Sequence, residues 1–523
     1  MKTSLLDDDL FSIQTEEGSI HHVSLPTLLD KLYKGDDVSF QRLQPHQIQP
    51  WYSFLVQVAS MSIGRDVAKQ PPQDGEEWKR MLLNLSGGEQ TESAWNLVEP
   101  DAQKPAFMQS PIPEDSLEKA GYLNYPVDTP DDLDMLVTSK NHDLKMNRLR
   151  TPRIEDWIYA LVTLQTMEGF MGRGNYGVVR MNGGFSSRPQ FGYAKTLDLS
   201  TRFKRDLDLL VQKRNTLTNY KLDGIPLLWT VPWDGKRTSQ VNLYDCDPQF
   251  IEVCRRVRFT TMGDQLLCYR VSTNASRIAA PEDLNGMTDD PWTPIDVENS
   301  KALSVSNAGL TFKLLQQILF KDTYQKPISM TLHRDEVDGA YLIATVLARK
   351  QGGTEGFHQR TIPIPGRVTR LFASKGDAFQ KLGRISAGRV DLTAELLKRC
   401  LRPALNALFH RGNSQDTSGS PIAAWISRYE DEVDRVFFDK LWTSADTTEE
   451  DARIEWEQFL KNLAESILKD AESTLPESSF FRWKAITTAR AILYGKFRDL
   501  LPTTVKSNDP AELSEADSEL SAS

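Results

Sequence analysis

Cysteine is scarce in this chain, which has 4 cysteines in 523 residues. No two of them form a C-x-x-C pair, so the sequence excludes a zinc ribbon and indicates a reducing compartment. Cys246, Cys254 and Cys268 fall within one short stretch, which keeps metal binding open. Small buried apolar side chains are the favoured interpretation of these thiols, and no metal site is predicted.

Long apolar runs are also absent, because no stretch approaches the roughly 20 residues that span a bilayer. The N-terminal segment turns acidic at Asp7, Asp8 and Asp9, where a signal peptide would need an apolar core. We therefore expect neither export nor a membrane partner, and we predict a cytoplasmic protein.

The familiar motifs of catalysis are missing as well: the chain has no GxxxxGK(S/T), no HExxH and no GxSxG. The stretch Gly172–Gly177 resembles the dinucleotide fingerprint GxGxxG, but it follows a predicted helix instead of a strand. His142 and Asp143 could form a base, yet no matched nucleophile stands nearby, so a loop histidine that contacts phosphate is favoured. We predict no enzymatic activity, no catalytic residue and no cofactor.

The chain does contain a local excess of positive charge between Lys140 and Arg214. In this segment 14 lysines and arginines stand against 7 aspartates and glutamates, although the whole chain has a net charge of -10. A basic segment on an acidic protein indicates a localised site for a polyanion, and nucleic acid is the first candidate.

A glycine pair within this segment is a candidate binding turn. Asn182 precedes Gly183 and Gly184, whose bare backbone allows a ligand to approach closely. Arg188 adds a guanidinium donor beside them. A hairpin with an Asn-Gly turn, between strands in Tyr176–Tyr193, explains the same pattern equally well.

Two further sites are candidates for exposed contacts. The turn Arg349–Thr354 lies between two apolar runs and predicts a hairpin with polar side chains at its tip. A flexible, exposed tip without a binding role explains the same pattern equally well. Arg277 is predicted to be exposed, where a solvated surface cation is the default interpretation.

The order of predicted elements indicates a mixed region followed by a run of helices. Helices are predicted over Pro45–Ile63, over Trp78–Leu85 and from Pro152 to about Gly169, and the region Ile225–Ala373 is predicted to be β-rich. These patterns are typical of a domain that combines helices with short strands.

Beyond Ser374 the sequence predicts an antiparallel four-helix bundle. Its predicted helices are Asp391–Phe409, with a kink at Pro403, then Pro421–Trp442, Ala452–Leu468 and Phe480–Leu500. We therefore predict an α+β fold class, with a large mixed domain over residues 1–374 and the bundle over 375–502. Residues 503–523 are predicted to be an acidic, disordered tail.

Short motifs in a fixed order give the chain a specific resemblance to a known family. They are Ala106–Gln109, Val137–Asp143, Asn182–Ser186, Leu197–Leu199 and Thr488–Tyr494. The chain resembles the CasA-type large subunit of the type I-E CRISPR Cascade complex over most of its length. The resemblance implies a subunit that is not an enzyme. It would recognise the protospacer-adjacent motif (PAM) in double-stranded DNA, start strand separation and recruit the helicase-nuclease.

The resemblance also implies which residues contact DNA. Three elements would approach the PAM from the minor groove: a glycine loop (Asn182, Gly183, Gly184), the tip of a wedge hairpin (Gln351, Gly352, Gly353) and a basic finger (Arg277), which is a lysine in the family. The segment Thr138–Arg150 resembles the loop that docks this subunit near the 5′ end of the guide RNA and close to the PAM. Its candidate contacts are Lys140, Asn141, His142, Lys145, Arg148 and Arg150. The implied partners are target DNA, the crRNA, the other Cascade subunits and the helicase-nuclease.

Two alternatives of other classes stay open at this point. The first is a metal-dependent nuclease that uses His142, Asp143 and nearby acids. The second is a purely structural scaffold whose helical bundle docks partners.

Overall fold

The chain forms two compact units. The computed structural model describes residues 3–15, 17–66, 71–122, 126–136, 149, 151–350, 353–410, 421–475 and 480–501. The first unit comprises Met1–Leu310 with Asp322–Pro363, and the second comprises Thr311–Lys321 with Ile364–Ser523. The first mixes helices with short strands and the second is largely helical, so the predicted α+β fold class is confirmed.

The first unit is built around two helices that are buried on nearly all sides. Its helices are α1 (Leu25–Lys34), α2 (Pro45–Arg65), α3 (Gly75–Ser86), α4 (Pro130–Leu133), α5 (Ile154–Met167) and α6 (Leu199–Lys213). Trp51 of α2 packs edge-on against Tyr159 of α5, with ring centroids 5.2 Å apart. Because both helices are buried around most of their circumference, they form the centre of the core. The three helices predicted here from hydrophobic periodicity are confirmed.

Strands, most of them short, form much of the rest of the first unit. They are β1 (Phe11–Gln14), β2 (Ile20–Val23), β3 (Ser39–Phe40), β4 (Gln190–Ala194), β5 (Ile225–Leu227), β6 (Val241–Asn242), β7 (Cys246–Ile251), β8 (Arg256–Met262), β9 (Gln265–Val271), β10 (Ile278–Ala279), β11 (Ile295–Asp296), β12 (Lys301–Ala302), β13 (Tyr324–Gln325), β14 (Gly339–Lys350) and β15 (Gly353–Pro365). The β-rich middle region is confirmed, but it consists of several small sheets instead of one large one.

The longest strands, β14 and β15, form the predicted hairpin. They pair in the sheet order β15-β14-β4, and β14 runs antiparallel to β4 with Tyr341 opposite Ala194 and Thr345 opposite Gln190. The hairpin predicted within Tyr176–Tyr193 is wrong, since only β4 is a strand there and the chain before it is irregular. This region therefore contributes one five-residue strand, β4, to the edge of the β14–β15 hairpin and does not form a hairpin itself.

The second unit contains the predicted C-terminal helices. They are α7 (Phe312–Phe320), α8 (Gly366–Ser374), α9 (Asp377–Leu396), which continues through a π-helical segment (Leu397–Leu401) into α10 (Arg402–Phe409), then α11 (Ala423–Thr443), α12 (Glu449–Ser473) and α13 (Phe480–Leu500). The first of the predicted helices begins at Asp377, well before Asp391. The wider π turn ends two residues before Pro403, which has no backbone N–H to complete a regular α-helical ladder.

Aromatic side chains fill the centre of the second unit. Trp456 donates its indole N–H to the carbonyl of Arg389 at 3.1 Å, and the Arg389 guanidinium lies 4.9 Å from the centre of the Trp456 ring. Phe437 packs edge-on against the same indole at 5.8 Å. Among the helices that the structure describes, none is both long and apolar enough to cross a membrane.

Candidate nucleic-acid interface

The glycine loop and the hairpin meet at one end of the three-stranded sheet. The loop, residues 182–189, leads directly into β4 at Gln190, which pairs with Thr345 of β14. The last five residues of β14, 346–350, continue past this point toward the hairpin tip, a distance of about 17 Å at about 3.4 Å per residue. We call this region, which comprises residues 346–350, 353–354 and 182–189, the sheet end.

The tip of the glycine loop is open to solvent. Gly183 and Gly184 are exposed, and a Cβ built on either would meet no atom within 4 Å. Gly184 has a φ of +81°, which favours glycine, whereas Gly183 shows no such restriction. Phe185 beside them is 37% exposed, so the tip offers bare backbone next to an aromatic ring.

Side chains behind the tip hold the loop in its irregular path. The amide of Asn182 donates to the carbonyl of Ala302 at 2.9 Å, and the hydroxyl of Ser187 donates to the carbonyl of Val305 at 3.1 Å. The Asn182 amide, predicted as a donor toward a ligand, is therefore already committed within the protein. An Asn-Gly hairpin turn fits the sequence equally well, but the actual partners of the loop lie more than 100 residues away.

Arg188 also has a structural partner instead of a free guanidinium. Its Nε donates to Asp290 at 2.6 Å and its Nη1 to the carbonyl of Thr166 at 3.0 Å, and both charged side chains are buried. Burial alone would raise the pKa of Asp290, but Arg188 and Arg180 outweigh it and hold that pKa below its usual range. Arg188 therefore anchors the loop, and its predicted role as an exposed donor is wrong.

A second buried carboxyl lies under the segment that leads into the loop. Both oxygens of Glu252 accept the backbone N–H of Val179, at 2.8 and 3.0 Å. Burial raises the pKa of Glu252 to about 7, although this hydrogen bond and the nearby Arg180 and Arg188 act in the opposite direction. Glu252 therefore fixes the backbone of Val179, three residues before Asn182.

The base of the hairpin tip is tied together by buried polar side chains. Arg349 of β14 donates to the hydroxyl of Thr354 of β15, and also to the carbonyl of Met135 at 3.1 Å. Thr354 donates to the same carbonyl at 2.5 Å. Gly353 is buried as the first residue of β15, so its predicted position at the exposed tip is wrong, while Gln351 and Gly352 lie outside the described residues.

The predicted docking loop begins and ends beside these elements. Met135 at the hairpin base comes directly before Leu136, where the described chain stops, and Leu149 on the far side donates its N–H to Asp131 at 3.3 Å. The candidate contacts Lys140, Asn141, His142, Lys145, Arg148 and Arg150 lie outside the described residues. The two ends of their segment are nevertheless fixed to the same unit as the sheet end.

Arg277 does not lie on the surface. Its side chain is 1% exposed, and its guanidinium donates to four backbone carbonyls, those of Leu228, Val231, Pro232 and Ser239, at 2.8 to 3.2 Å. Burial lowers the pKa of Arg277 to about 10. The prediction of an exposed Arg277 is therefore wrong, because the guanidinium satisfies a cluster of inward-facing carbonyls.

Much of the basic segment is internal for the same reason. Arg188, Arg205 and Arg214 are buried and paired with Asp290, Glu336 and Asp247, which all lie outside the segment. The local excess of positive charge in the sequence is therefore not an equal excess on the surface. Arg173, on the segment packed behind the glycine loop, is one cation that does remain exposed.

The four cysteines are buried and free, as the favoured interpretation predicted. Burial raises the pKa of Cys246, Cys254 and Cys268 to about 12 and that of Cys400 to about 11. Across the described ranges, no group of three or more histidine, cysteine, aspartate or glutamate side chains is arranged to hold a metal ion.

Comparison with known proteins gives a consistent result at the level of the fold. No family model and no curated protein matches the chain, whereas several solved structures match it. Thermus thermophilus CasA (Cse1) has a TM-score of 0.60 at 14% identity, covering 94% of this chain and 98% of its own.

Two further solved structures agree. Cse1 from Acidimicrobium ferrooxidans has a TM-score of 0.60 at 14% identity, covering 96% of this chain and 99% of its own. Thermobifida fusca Cse1 has a TM-score of 0.61 at 13% identity, covering 95% and 98%. Over nearly its whole length, the chain therefore has the fold of the CasA (Cse1) proteins.

Proposed function

We propose that this chain is the large subunit of a type I-E CRISPR Cascade complex. In this role it recognises the PAM of double-stranded target DNA through the minor groove, wedges the duplex to begin R-loop formation and recruits the helicase-nuclease. The crRNA and the other Cascade subunits are its partners in the cytoplasm, and the chain itself performs no bond chemistry. Pairing with the guide then reads the rest of the target.

The observation that carries this proposal is the meeting of two predicted DNA-binding elements at the sheet end. The glycine loop and the residues that flank the hairpin turn, Lys350 and Gly353, are far apart in sequence, yet the pairing of β4 with β14 puts them at the same end of one sheet. A duplex that touched one of them would therefore lie within reach of the other. The likeness to CasA over nearly the full length of both chains supports the same assignment.

The chemistry of the loop tip favours contact with the minor groove. That groove is narrow and offers a degenerate pattern of acceptors, so a reader there tolerates several base sequences. At Gly183 and Gly184 the backbone is exposed with open space around it. Such a backbone can enter a groove that most side chains could not. An aromatic ring such as Phe185, beside the same tip, suits contact with sugars or base edges.

The test is the substitution Gly183→Asp in the assembled complex. The free protein should tolerate this change, because a side chain at Gly183 meets no neighbour. In the groove, however, the carboxylate would meet phosphate charge and block the close approach of the backbone. We expect affinity for a PAM-bearing duplex to fall about tenfold or more, since a groove contact is worth about 1–3 kcal/mol. A mobility-shift titration measures this, with a duplex lacking the PAM as reference.

Gly376→Asp is the matched control. Gly376 is also exposed with nothing within 4 Å of its Cβ position, but it lies in the second unit, at the start of α9. It should leave the affinity unchanged and preserve co-purification with the guide RNA. Equal affinity of the Gly183→Asp complex and the control would remove the glycine loop from the interface.

A further inference from the structure

A buried ion pair joins the hairpin to the core at the base of its tip. Arg349 of β14 donates through Nη2 to Glu168, the residue that directly follows α5, and the two side chains are only 5% and 9% exposed. The other terminal nitrogen of Arg349 binds Thr354 and the carbonyl of Met135. A single guanidinium thus links both strands of the hairpin to the end of a central helix.

The glycine loop packs directly against the same point. A Cβ built on Gly169, the residue after Glu168, would lie 3.0 Å from the carbonyl oxygen of Ser186 and 3.7 Å from that of Gly184. The backbone of Glu168 also accepts the N–H of Val178 at 3.0 Å. Glu168 and Gly169 therefore contact the hairpin on one side and the glycine loop on the other.

A second arginine fixes this contact from behind. Arg255 donates to the carbonyl of Gly169 at 3.1 Å and to that of Tyr176, and its guanidinium lies 3.9 Å from the Glu168 carboxylate. Two guanidinium groups therefore surround one carboxylate, and the three side chains are only 5% to 12% exposed. Buried ion pairs contribute little net stability but can select one arrangement of the groups they join.

We propose that Glu168 and Arg349 are positioning residues, which hold the hairpin tip and the glycine loop in a fixed mutual arrangement so that both engage one duplex together. This inference rests on the proposed function and extends it. Neither residue needs to touch DNA. Weakening the pair leaves each element intact but lets the tip move relative to the loop, so the duplex can bind without being wedged.

The test compares two glutamate variants in the assembled complex. Glu168→Gln replaces the carboxylate between Arg349 and Arg255 with a neutral amide. The control, Glu336→Gln, breaks an equally buried pair with Arg205 just before β14 begins, at the opposite end of the same strand. Strand opening is followed by the fluorescence of 2-aminopurine beside the PAM. One substrate is a fully paired duplex and the other is already unpaired at that position.

Glu168→Gln should slow opening of the paired duplex by about tenfold and restore nearly normal behaviour on the pre-opened one. Glu336→Gln should change neither rate, even if it lowers the melting temperature as much. Gln351→Ala should slow opening much less in the Glu168→Gln variant than in the wild type, because in that variant the hairpin is already misaligned. A merely structural role would slow both substrates alike and make the two changes additive, and either result would overturn the proposal.

Thr354→Val provides a second variant if Glu168→Gln fails to assemble. It removes the hydroxyl that binds Arg349 and the Met135 carbonyl while keeping a branched side chain, and we expect the same preference for the pre-opened substrate. Normal opening of the paired duplex by this variant would count against positioning. The proposed function fails separately, and takes this inference with it, if the wild-type complex shows no dependence on the PAM.

Discussion

At the scale of single residues, buried charges hold the candidate interface in its shape. Arg188 with Asp290 and Arg349 with Glu168 are ion pairs with almost no exposure, and each connects an irregular segment to the core. Removing one member of such a pair leaves an uncompensated charge in the interior and is expected to be costly. Under the proposed function, residues that do not contact DNA therefore decide how the exposed backbone of the loop is presented to it.

Glu252 gives a prediction at this scale. Its folded pKa of about 7 lies above its ordinary value of 4.5 because the carboxyl is buried. Between these two values the unfolded chain loses a proton that the folded chain keeps, so the stability contributed by Glu252 falls as pH rises from 4.5 through 7. Glu252→Gln mimics the protonated form. It should therefore stabilise the protein at pH 8 by roughly 3 kcal/mol and have little effect near pH 4.5.

Denaturant unfolding at both pH values measures this difference. Glu282→Gln, at an exposed position of the same unit, is the control and should behave like the wild type throughout. A difference between Glu252→Gln and the wild type that stays constant between the two pH values would show that protonation of Glu252 is not coupled to folding.

Sequence reasoning located the glycine loop but misjudged the charged residues around it. The composition correctly shows a basic segment, yet it contains no information about which guanidinium groups are internal. The partner of Arg188 lies 102 residues away, and the carbonyls that bind Arg277 lie 38 to 49 residues before it. A useful signal was missed at Arg349, since an arginine at the end of a buried apolar strand needs a carboxylate partner.

At the scale of elements, periodicity predicted helices well and irregular loops poorly. The helices α2, α3 and α5 were predictable because apolar residues recur at helical spacing and prolines or glycines mark their ends. The β14–β15 hairpin was predictable for a similar reason, from two apolar runs around a glycine turn. The path of residues 182–189 was not, because it depends on hydrogen bonds to residues more than 100 positions away.

The hairpin gives a prediction at this scale, through the residue at its turn. Gln351→Ala in the assembled complex should slow R-loop formation by about tenfold while changing initial duplex binding by less than about twofold. The reason is that a wedge acts when base pairs unstack, at a cost of a few kcal/mol per step, and contributes little to the first encounter. Stopped-flow measurement of opening, beside a mobility-shift titration of binding, separates the two effects.

Gln103→Ala is the matched control, since Gln103 is exposed in the same unit and lies in a different segment. It should change neither quantity. If Gln351→Ala weakened binding and opening by the same factor, the tip would be an ordinary contact and the wedge role would be lost.

At the scale of the whole molecule, the proposed function requires the protein to bind a polyanion although its own net charge is -10. Arg188, Arg205 and Arg214 of the basic segment are internal, so fewer cations lie on the surface than the composition suggests. Under the proposed function, binding relies on the cations of the docking loop, residues 138–150, and on the exposed backbone of the glycine loop. Those groups should dominate the response of binding to salt.

The salt dependence of binding tests this view. Each phosphate contact that is lost reduces the slope of log K against log salt by about 0.9, because fewer counterions are released from the duplex. Four basic residues of the docking loop are changed together to glutamine: Lys140, Lys145, Arg148 and Arg150. We expect the slope to become shallower by about 2–4, measured only on complexes that still co-purify with the guide RNA.

Four exposed cations elsewhere in the first unit serve as control and should leave the slope unchanged: Lys119, Lys221, Lys236 and Arg270. If both quadruple variants changed the slope equally, binding would follow net charge alone, and a localised interface that includes the docking loop would be wrong.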